Sequence, residues 1–363
     1  MCVPAIERID VASFKIPTDF PESDGTLEWT DTTLVVVEAH AGAKCGIGYT
    51  FADTATARLI KDKLSQIVMG ADAMAVQASW LAMVRSIRNL GRPGISSMAI
   101  SAVDVALWDL KARLLNLPLL TLLGRIRDEV PVYGSGGFTS YSLKRLQDQL
   151  TGWADKGIQK VKMKIGRDPA ADPGRVRAAR EAVGSSVELF VDANGAYSRK
   201  QALAKAKEFA QYRVNWFEEP VSSDDLEGLR LLRDRAPACM DIAAGEYGYD
   251  LHYFRRMLDA GAVDVLQADA TRCGGFTGFS SVAALCQARS MSLSAHTAPS
   301  LHAHFCCALM PVCHVEYFHD HARIEQMLFD GALKAEKGVL RPDLSKPGMG
   351  VEFKRSDAER YVI

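Results

Sequence analysis

The sequence predicts an α/β protein, a (β/α)8-type barrel preceded by a small α+β unit. Three observations carry this. From about Val130 to Glu316, short apolar runs alternate with helical, charge-studded stretches, the rhythm of parallel βαβ units. Eight such runs occur, which suits a closed barrel better than an open sheet. Before about residue 125 the texture is different, with β-rich segments followed by a long helical stretch. A chain of 363 residues can hold about two domains or a barrel with an appendage. Its 48% hydrophobic and 24% charged residues exclude disorder as the main theme. Lys plus Arg number 43 against 44 Asp plus Glu, which leaves no overall field to hold nucleic acid or an anionic membrane.

Along the chain, segments 3–16 and 32–40 read as strands, and the Gly-, Asp- and Pro-containing stretch 18–30 between them reads as a long loop. Apolar residues spaced by three and four from Ala55 to Leu115 predict helices. The barrel strands are expected at Val130 to Tyr133, Lys160 to Ile165, Val187 to Val191, Val214 to Phe217, Met240 to Ala244, Val263 to Gln267, Met291 to Ala295 and Cys313 to Val315. Residues 317–363 form a Pro/Gly-rich tail that fits packing back on the first unit better than extending the barrel. Cysteines at 2, 45, 239, 273, 286, 306, 307 and 313 form no CxxC pair and read as reduced thiols. No basic-then-apolar leader opens the sequence, and no window approaches about 18 uncharged apolar residues, so a cytoplasmic protein is expected.

In such a barrel the C-terminal strand ends share one mouth, so an ionisable residue after each apolar run is the pattern to seek. It is present: Lys164, Asp192, Glu218, Glu246, Asp269, His296 and Glu316 follow one another at intervals of 20 to 28 residues, about one βα unit each. Asp192, Glu218 and Glu246 on consecutive strands make an all-oxygen site suited to a hard divalent cation such as Mg²⁺. The bland alternative, three solvated or salt-bridged carboxylates, does not account for their common register. Glu219 is expected behind the ligands, since alternation turns it away from Glu218, and Asn194 is placed to orient Asp192 or its water.

Lys162 and Lys164 share one face of a strand. Each ammonium, and a nearby metal, disfavours protonation of the other, which is expected to lower Lys164 toward the range of a general base. A solvated charge pair is the alternative. His296 has Asp269 one unit earlier, and a carboxylate on one ring nitrogen would fix the tautomer and raise the basicity of the other. His302, His304, His314, His319 and His321 are taken as structural. Glu316, if protonated, could donate to a substrate carboxylate oxygen and stabilise charge developing there; a strand-end salt bridge is its alternative.

With these motifs, Lys162-Met163-Lys164, Val191-Asp192-Ala193-Asn194-Gly195, Trp216-Phe217-Glu218-Glu219-Pro220, Gly245-Glu246, Asp269 before Arg272-Cys273-Gly274-Gly275, and Ala295-His296, the chain resembles the enolase superfamily, specifically its mandelate racemase subgroup. The resemblance spans nearly the whole chain. It implies a (β/α)7β modified TIM barrel over 126–316, an N-terminal α+β capping domain over 1–125, and a C-terminal segment, 317–363, that returns to the cap. It implies Mg²⁺ on Asp192, Glu218 and Glu246, acid/base roles for Lys164 and for the His296/Asp269 dyad, and Glu316 as the electrophilic partner. Lys162 would contact the substrate carboxylate and tune Lys164. The muconate-lactonising subgroup carries a Lys where this chain has Asp269, and fits less well.

The implied chemistry is abstraction of the proton α to a carboxylate through an enediolate. The substrate is then a small carboxylate-bearing molecule, and dehydration of a sugar acid to a 2-keto-3-deoxy acid is the leading expectation. Racemisation or epimerisation of an α-hydroxy acid, or cycloisomerisation of a sugar lactone, would use the same site. A non-catalytic sugar-acid-binding barrel predicts loss of site residues, and none is missing. Segment 18–30 and Tyr49 to Asp53 are expected to close the mouth. A homo-oligomer is expected by resemblance. The chain lacks the HExxH of many zinc sites, an HxH after the first barrel strand and a GxSxG nucleophile elbow.

Overall fold

A computed structural model describes residues 4–363. Cys2, expected as a reduced thiol, and Val3, at the start of the first expected strand, lie outside the described residues. The chain opens with an antiparallel sheet of β1 (Arg8–Ser23), β2 (Glu28–Ala41) and β3 (Lys44–Phe51) in that order. The helix Ile95–Leu114 lies across it, built from Ala, Val, Leu and Ser and buried along most of its circumference. Gly46 and Gly48 on β3 permit the close approach: a Cβ there would stand 2.3 and 2.1 Å from the carbonyl oxygens of Ala106 and Ala102.

The stretch 18–30 is not a loop. β1 and β2 run on through it as a long hairpin, pairing Glu22 with Trp29 and Ser23 with Glu28 after an irregularity between Pro17 and Glu22. Its polar, proline-bearing composition reads as loop because the strands here are bulged and narrow. Pro17 and Pro21 sit where the ladder is broken and no donor is needed.

Eight parallel strands close the barrel: β4 (Val130–Gly136), β5 (Lys160–Lys164), β6 (Glu188–Asp192), β7 (Val214–Glu218), β8 (Asp241–Ala244), β9 (Val265–Ala268), β10 (Ser292–Ala295) and β11 (Val312–Phe318), with β11 pairing back to β4. Seven helices separate them. Several begin on side-chain caps, among them Ser142, Ser198 with Gln201 as a capping box, Asp225 and Asp250. Inside the barrel, Tyr133, Phe190, Trp216, Ala243 and Val265 form a small core. Alternation places Phe190 and Trp216 directly below Asp192 and Glu218, so an apolar plug underlies the carboxylates.

After β11 the helix His319–Leu328 leads to β12 (Phe329–Asp330), β13 (Val339–Leu340) and β14 (Glu352–Phe353). β12 pairs with β14, while β13 adds an antiparallel rung to β4, so the tail also touches the barrel. The rest returns to the first sheet. Asp109 accepts from the Met349 N–H (2.6 Å) and the Ile47 N–H (2.8 Å), and Ile363 donates to the Ser13 carbonyl (3.1 Å). The seven cysteines among the described residues are unpaired.

Candidate active site

β5, β6 and β7 run in register, so Lys164, Asp192 and Glu218 stand side by side at the strand ends. Glu246 follows β8 after Gly245, whose φ of +137° and closeness to the Gln267 carbonyl leave no space for a Cβ. Asp192, Glu218 and Glu246 each bring a carboxylate oxygen within 4.8 Å of the others. The Asn194 N–H, from a left-handed residue (φ +45°), donates to Asp192 (2.9 Å), and Trp216 Nε1 donates to Glu218 (3.0 Å). It is thus the main chain of Asn194 that holds the ligand.

Lys164 Nζ lies 2.5 Å from Asp192, and Lys162 Nζ lies 2.6 Å from Glu218, 2.8 Å from Glu316 and 3.7 Å from Asp192. Lys162 is fully buried beneath the cavity floor. Its ammonium ties Glu218 to Glu316. At Lys164, burial and Lys162 oppose the neighbouring carboxylates. Burial pushes its ammonium down, but Asp192 outweighs that, so the protein's own charges hold it above its ordinary value. Glu316 is held well below the usual carboxylate range, because Lys162 and His296 overcome its burial. It accepts from Ser135 Oγ (2.5 Å) and the Thr297 N–H (3.2 Å). Glu316 is thus paired with Lys162 in the floor of the site while it also lines the cavity.

His296 Nδ1 is 2.9 Å from Asp269, whose other oxygen accepts from the Thr271 N–H and hydroxyl, both at 2.7 Å. The bonded His296 imidazole, then His302 and Arg272, hold Asp269 below the usual carboxylate range despite its burial. Nδ1 is then the donor, and Nε2 is free to face Glu246 at 3.4 Å and Glu316 at 3.7 Å. Lys164 and His296 both line a cavity of about 410 Å³ at the mouth, together with Glu246, Asp269 and Glu316. The hairpin roofs it. Ser23 and Asp24 carbonyls accept from Thr139, and a Cβ on Gly25 would stand 2.3 Å from the Ala193 carbonyl oxygen.

The donor set fits a hard divalent cation. Six buried carboxyl groups, Asp192, Glu218, Glu219, Glu246, Asp269 and Glu316, stand among three cationic side chains, Lys162, Lys164 and Arg272, leaving negative charge uncompensated. Glu219 Oε1, Glu246 Oε2 and Asn194 Oδ1 are buried without a hydrogen-bond partner. Burial and the adjacent carboxylates raise Glu218 and Glu219 well above the ordinary carboxyl range, which shows how poorly the protein alone neutralises this cluster.

Sequence reasoning missed Ser135, Arg272 and His321. Ser135 is the penultimate residue of the first barrel strand, where the strand-end rule applied only to ionisable residues. Arg272 lies three residues after Asp269 and donates to the Glu246 carbonyl (3.0 Å). His321, taken as structural, lines the cavity stacked on Phe51. His302 does hold structure: it accepts from the Ala270 N–H (2.9 Å) and faces the Thr297 carbonyl (2.8 Å).

A closed parallel barrel with acids, lysines and a His/Asp pair at its strand ends, under an α+β cap, defines an enolase-type carboxylate chemistry scaffold. Residues 9–124 match the mandelate racemase/muconate lactonizing enzyme N-terminal domain and residues 145–358 the enolase C-terminal domain-like family, so the chain belongs to the mandelate racemase/muconate lactonizing enzyme family of the enolase superfamily. It is 33% identical to the 3,6-anhydro-α-L-galactonate cycloisomerase of Streptomyces coelicolor over 96% of this chain and 98% of that one. It is similar to the crystal structure of a mandelate racemase/muconate lactonizing enzyme-like protein from Rubrobacter xylanophilus (TM-score 0.97, 57% identity, 99% and 100% covered). It is also similar to the L-talarate dehydratase of a Polaromonas species complexed with Mg and L-glucarate (TM-score 0.89, 28% identity, 99% and 98% covered).

Proposed function

We propose that this protein is a Mg²⁺-dependent enzyme that removes the proton α to the carboxylate of a sugar acid, forms an enediolate, and expels the β-oxygen to give a 2-keto-3-deoxy acid. The observation that carries the reading is the placement of two proton-transfer groups, Lys164 and His296, in the wall of one cavity beside three carboxylates. Asp192, Glu218 and Glu246 would hold Mg²⁺, and bound Mg²⁺ supplies positive charge where the substrate carboxylate gains negative charge. Compensation of Asp192 in that state removes what raises the Lys164 ammonium, so its neutral form becomes accessible for general-base work. Asp269 holds the proton on His296 Nδ1, which leaves Nε2 to exchange a proton with the substrate or its leaving oxygen. Glu316, fixed by Lys162 and Ser135, accepts from substrate hydroxyls.

A second reading, cycloisomerisation, is supported by the Streptomyces relative, which aligns over nearly its full length. It uses the same proton abstraction with a ring oxygen as the leaving group. The two are separated by proton NMR in D₂O with Mg²⁺ over sugar acids, their lactones and anhydro forms. Substrate loss with a deuterated methylene identifies β-elimination, and the compound consumed names the reading. Washout of the α-proton or an epimer without net loss would instead make the protein a racemase or epimerase. No exchange in any compound refutes the proposal.

The reading divides the chain into a cap (1–125), a barrel (126–316) and a returning segment (317–363). It places the enzyme in the cytoplasm; no helix among the described residues is long and apolar enough to cross a membrane. It includes assembly as a homo-oligomer, supported by exposed Leu81, Leu90 and Ile95 on the cap and checked by light scattering.

A further inference from the structure

The chemistry above fixes one end of the substrate: its reacting carboxylate belongs at the Glu246 end, between Lys164 and His296. The remainder extends toward the cap, whose residues determine what the far end can be. Asp24, Asp31 and Asp53 line that part of the same cavity. Each commits one carboxylate oxygen to the cap. Asp24 Oδ1 accepts from the Thr26 and Leu27 N–H groups (2.6 and 2.7 Å), Asp53 Oδ1 from the Ala55 N–H (2.8 Å), and Asp31 Oδ2 lies 3.3 Å from Lys15. The second oxygen of each remains for a hydroxyl donor.

Among the described residues, Lys164 and Arg272 are the cavity's only lysine and arginine. Both are engaged. Lys164 contacts Asp192 at 2.5 Å, and Arg272 lies 3.6 Å from both Glu246 and Asp269 besides donating to the Glu246 carbonyl. The imidazole at this end of the cavity is neutral. His321 stacks on Phe51 (centroids 3.5 Å, 10°) and meets Phe318 edge-on at 5.0 Å, and its Nδ1 is buried without a partner. Burial, then the neighbouring His296 and Arg272, pushes its imidazolium down to about 3, so it offers one donor and one acceptor.

A second carboxylate in this position would meet three carboxylates and no uncommitted cation, whereas hydroxyls and ring oxygens would meet acceptors and a neutral imidazole. We infer that the substrate is a monocarboxylate whose far end is an uncharged polyol or ring, held by Asp24, Asp31, Asp53 and His321, and that the corresponding diacid is rejected. The inference rests on the α-proton reading and deepens it. It also separates this chain from the Polaromonas neighbour, which is complexed with the diacid L-glucarate.

The test measures kcat/KM with Mg²⁺ for aldonates and the aldarates of matching configuration, with their lactones, on the wild type and on a D31N/D53N double variant. Asn can still cap the helix at Asp53, and Asp31 is a strand position of β2 whose backbone pairing does not involve its carboxylate. The wild type should favour a monoacid over its diacid by at least about tenfold, since juxtaposed like charges cost several kcal/mol. The double variant should narrow that ratio. A diacid handled as well as its monoacid overturns the inference and leaves α-proton abstraction standing. Rejection of the diacid that is unchanged in the double variant also overturns it, because shape and not charge would then discriminate. Failure of every acid to exchange its α-proton in D₂O removes both.

Discussion

Replacing Lys162 by Met keeps the length of the side chain and removes one buried charge. In the wild type that ammonium sits 2.6 Å from Glu218 and 2.8 Å from Glu316, and all three side chains are essentially inaccessible to water. Breaking a buried ion pair by deleting one partner costs about 3–5 kcal/mol, because the remaining charge is left uncompensated. At about 2.1 cal/mol/K per residue, unfolding 363 residues carries an entropy near 0.76 kcal/mol/K, so the expected fall in Tm is about 4–7 °C. The deficit depends on pH. Wild-type Glu316, held low, contributes stability that is present above its unfolded value and is lost as pH falls. In the variant Glu316 and Glu218 lose their cation and favour the protonated form, so their penalty is relieved as pH falls. The gap between the two proteins should thus be widest near pH 8 and shrink toward pH 5, and Mg²⁺ should narrow it by supplying the missing charge. Scanning calorimetry at both pH values, with and without Mg²⁺, measures this. A loss below about 1 °C at pH 8, or a gap that widens on acidification, would refute the argument that Lys162 neutralises the floor of the site.

Other expectations concern turnover and closure. Lys164→Ala and His296→Asn should each lower kcat by about 10²–10⁴-fold while Mg²⁺ titration calorimetry still shows binding; wild-type rates in both would remove them as the bases. Gly25→Ala would place a Cβ 2.3 Å from the Ala193 carbonyl, lifting the hairpin tip. We expect kcat/KM to fall about 10²-fold with circular dichroism unchanged, and an unaffected kcat/KM would mean that the hairpin need not close. Chelation by EDTA should abolish activity and lower Tm, and excess Mg²⁺ at about 100 Kd should restore about 2.7 kcal/mol; a Tm indifferent to EDTA and Mg²⁺ would argue against the carboxylate triad as its site.

The barrel and its ring of functional groups were readable because each depends on local order: an apolar run, then an ionisable residue, repeated once per βα unit. Asp192, Glu218 and Glu246 meet for that reason, and Lys162 and Lys164 share a face because strand side chains alternate. Charge state was not readable. That Glu316 is ionised follows from a lysine 154 positions earlier in sequence arriving 2.8 Å away, a distance set by barrel closure. The hairpin was misread because Thr18 to Ser23 lacks the apolar alternation of a half-buried strand. Its order comes from bonds to Thr139, Ser140 and Arg323 in distant segments. His321 carried no sequence signal, since its meaning lies in stacking on Phe51, 270 residues away.

Residues 362 and 363 join the first sheet: Val362 bridges Phe14, and Ile363 donates to Ser13. β1, one arm of the hairpin over the mouth, is thus held by a segment 348 positions later in sequence. Such non-local pairing closes a long loop, so the seam between cap and returning segment is a late and slow event in folding. Loosening it would free a cap strand without touching a group that lines the cavity.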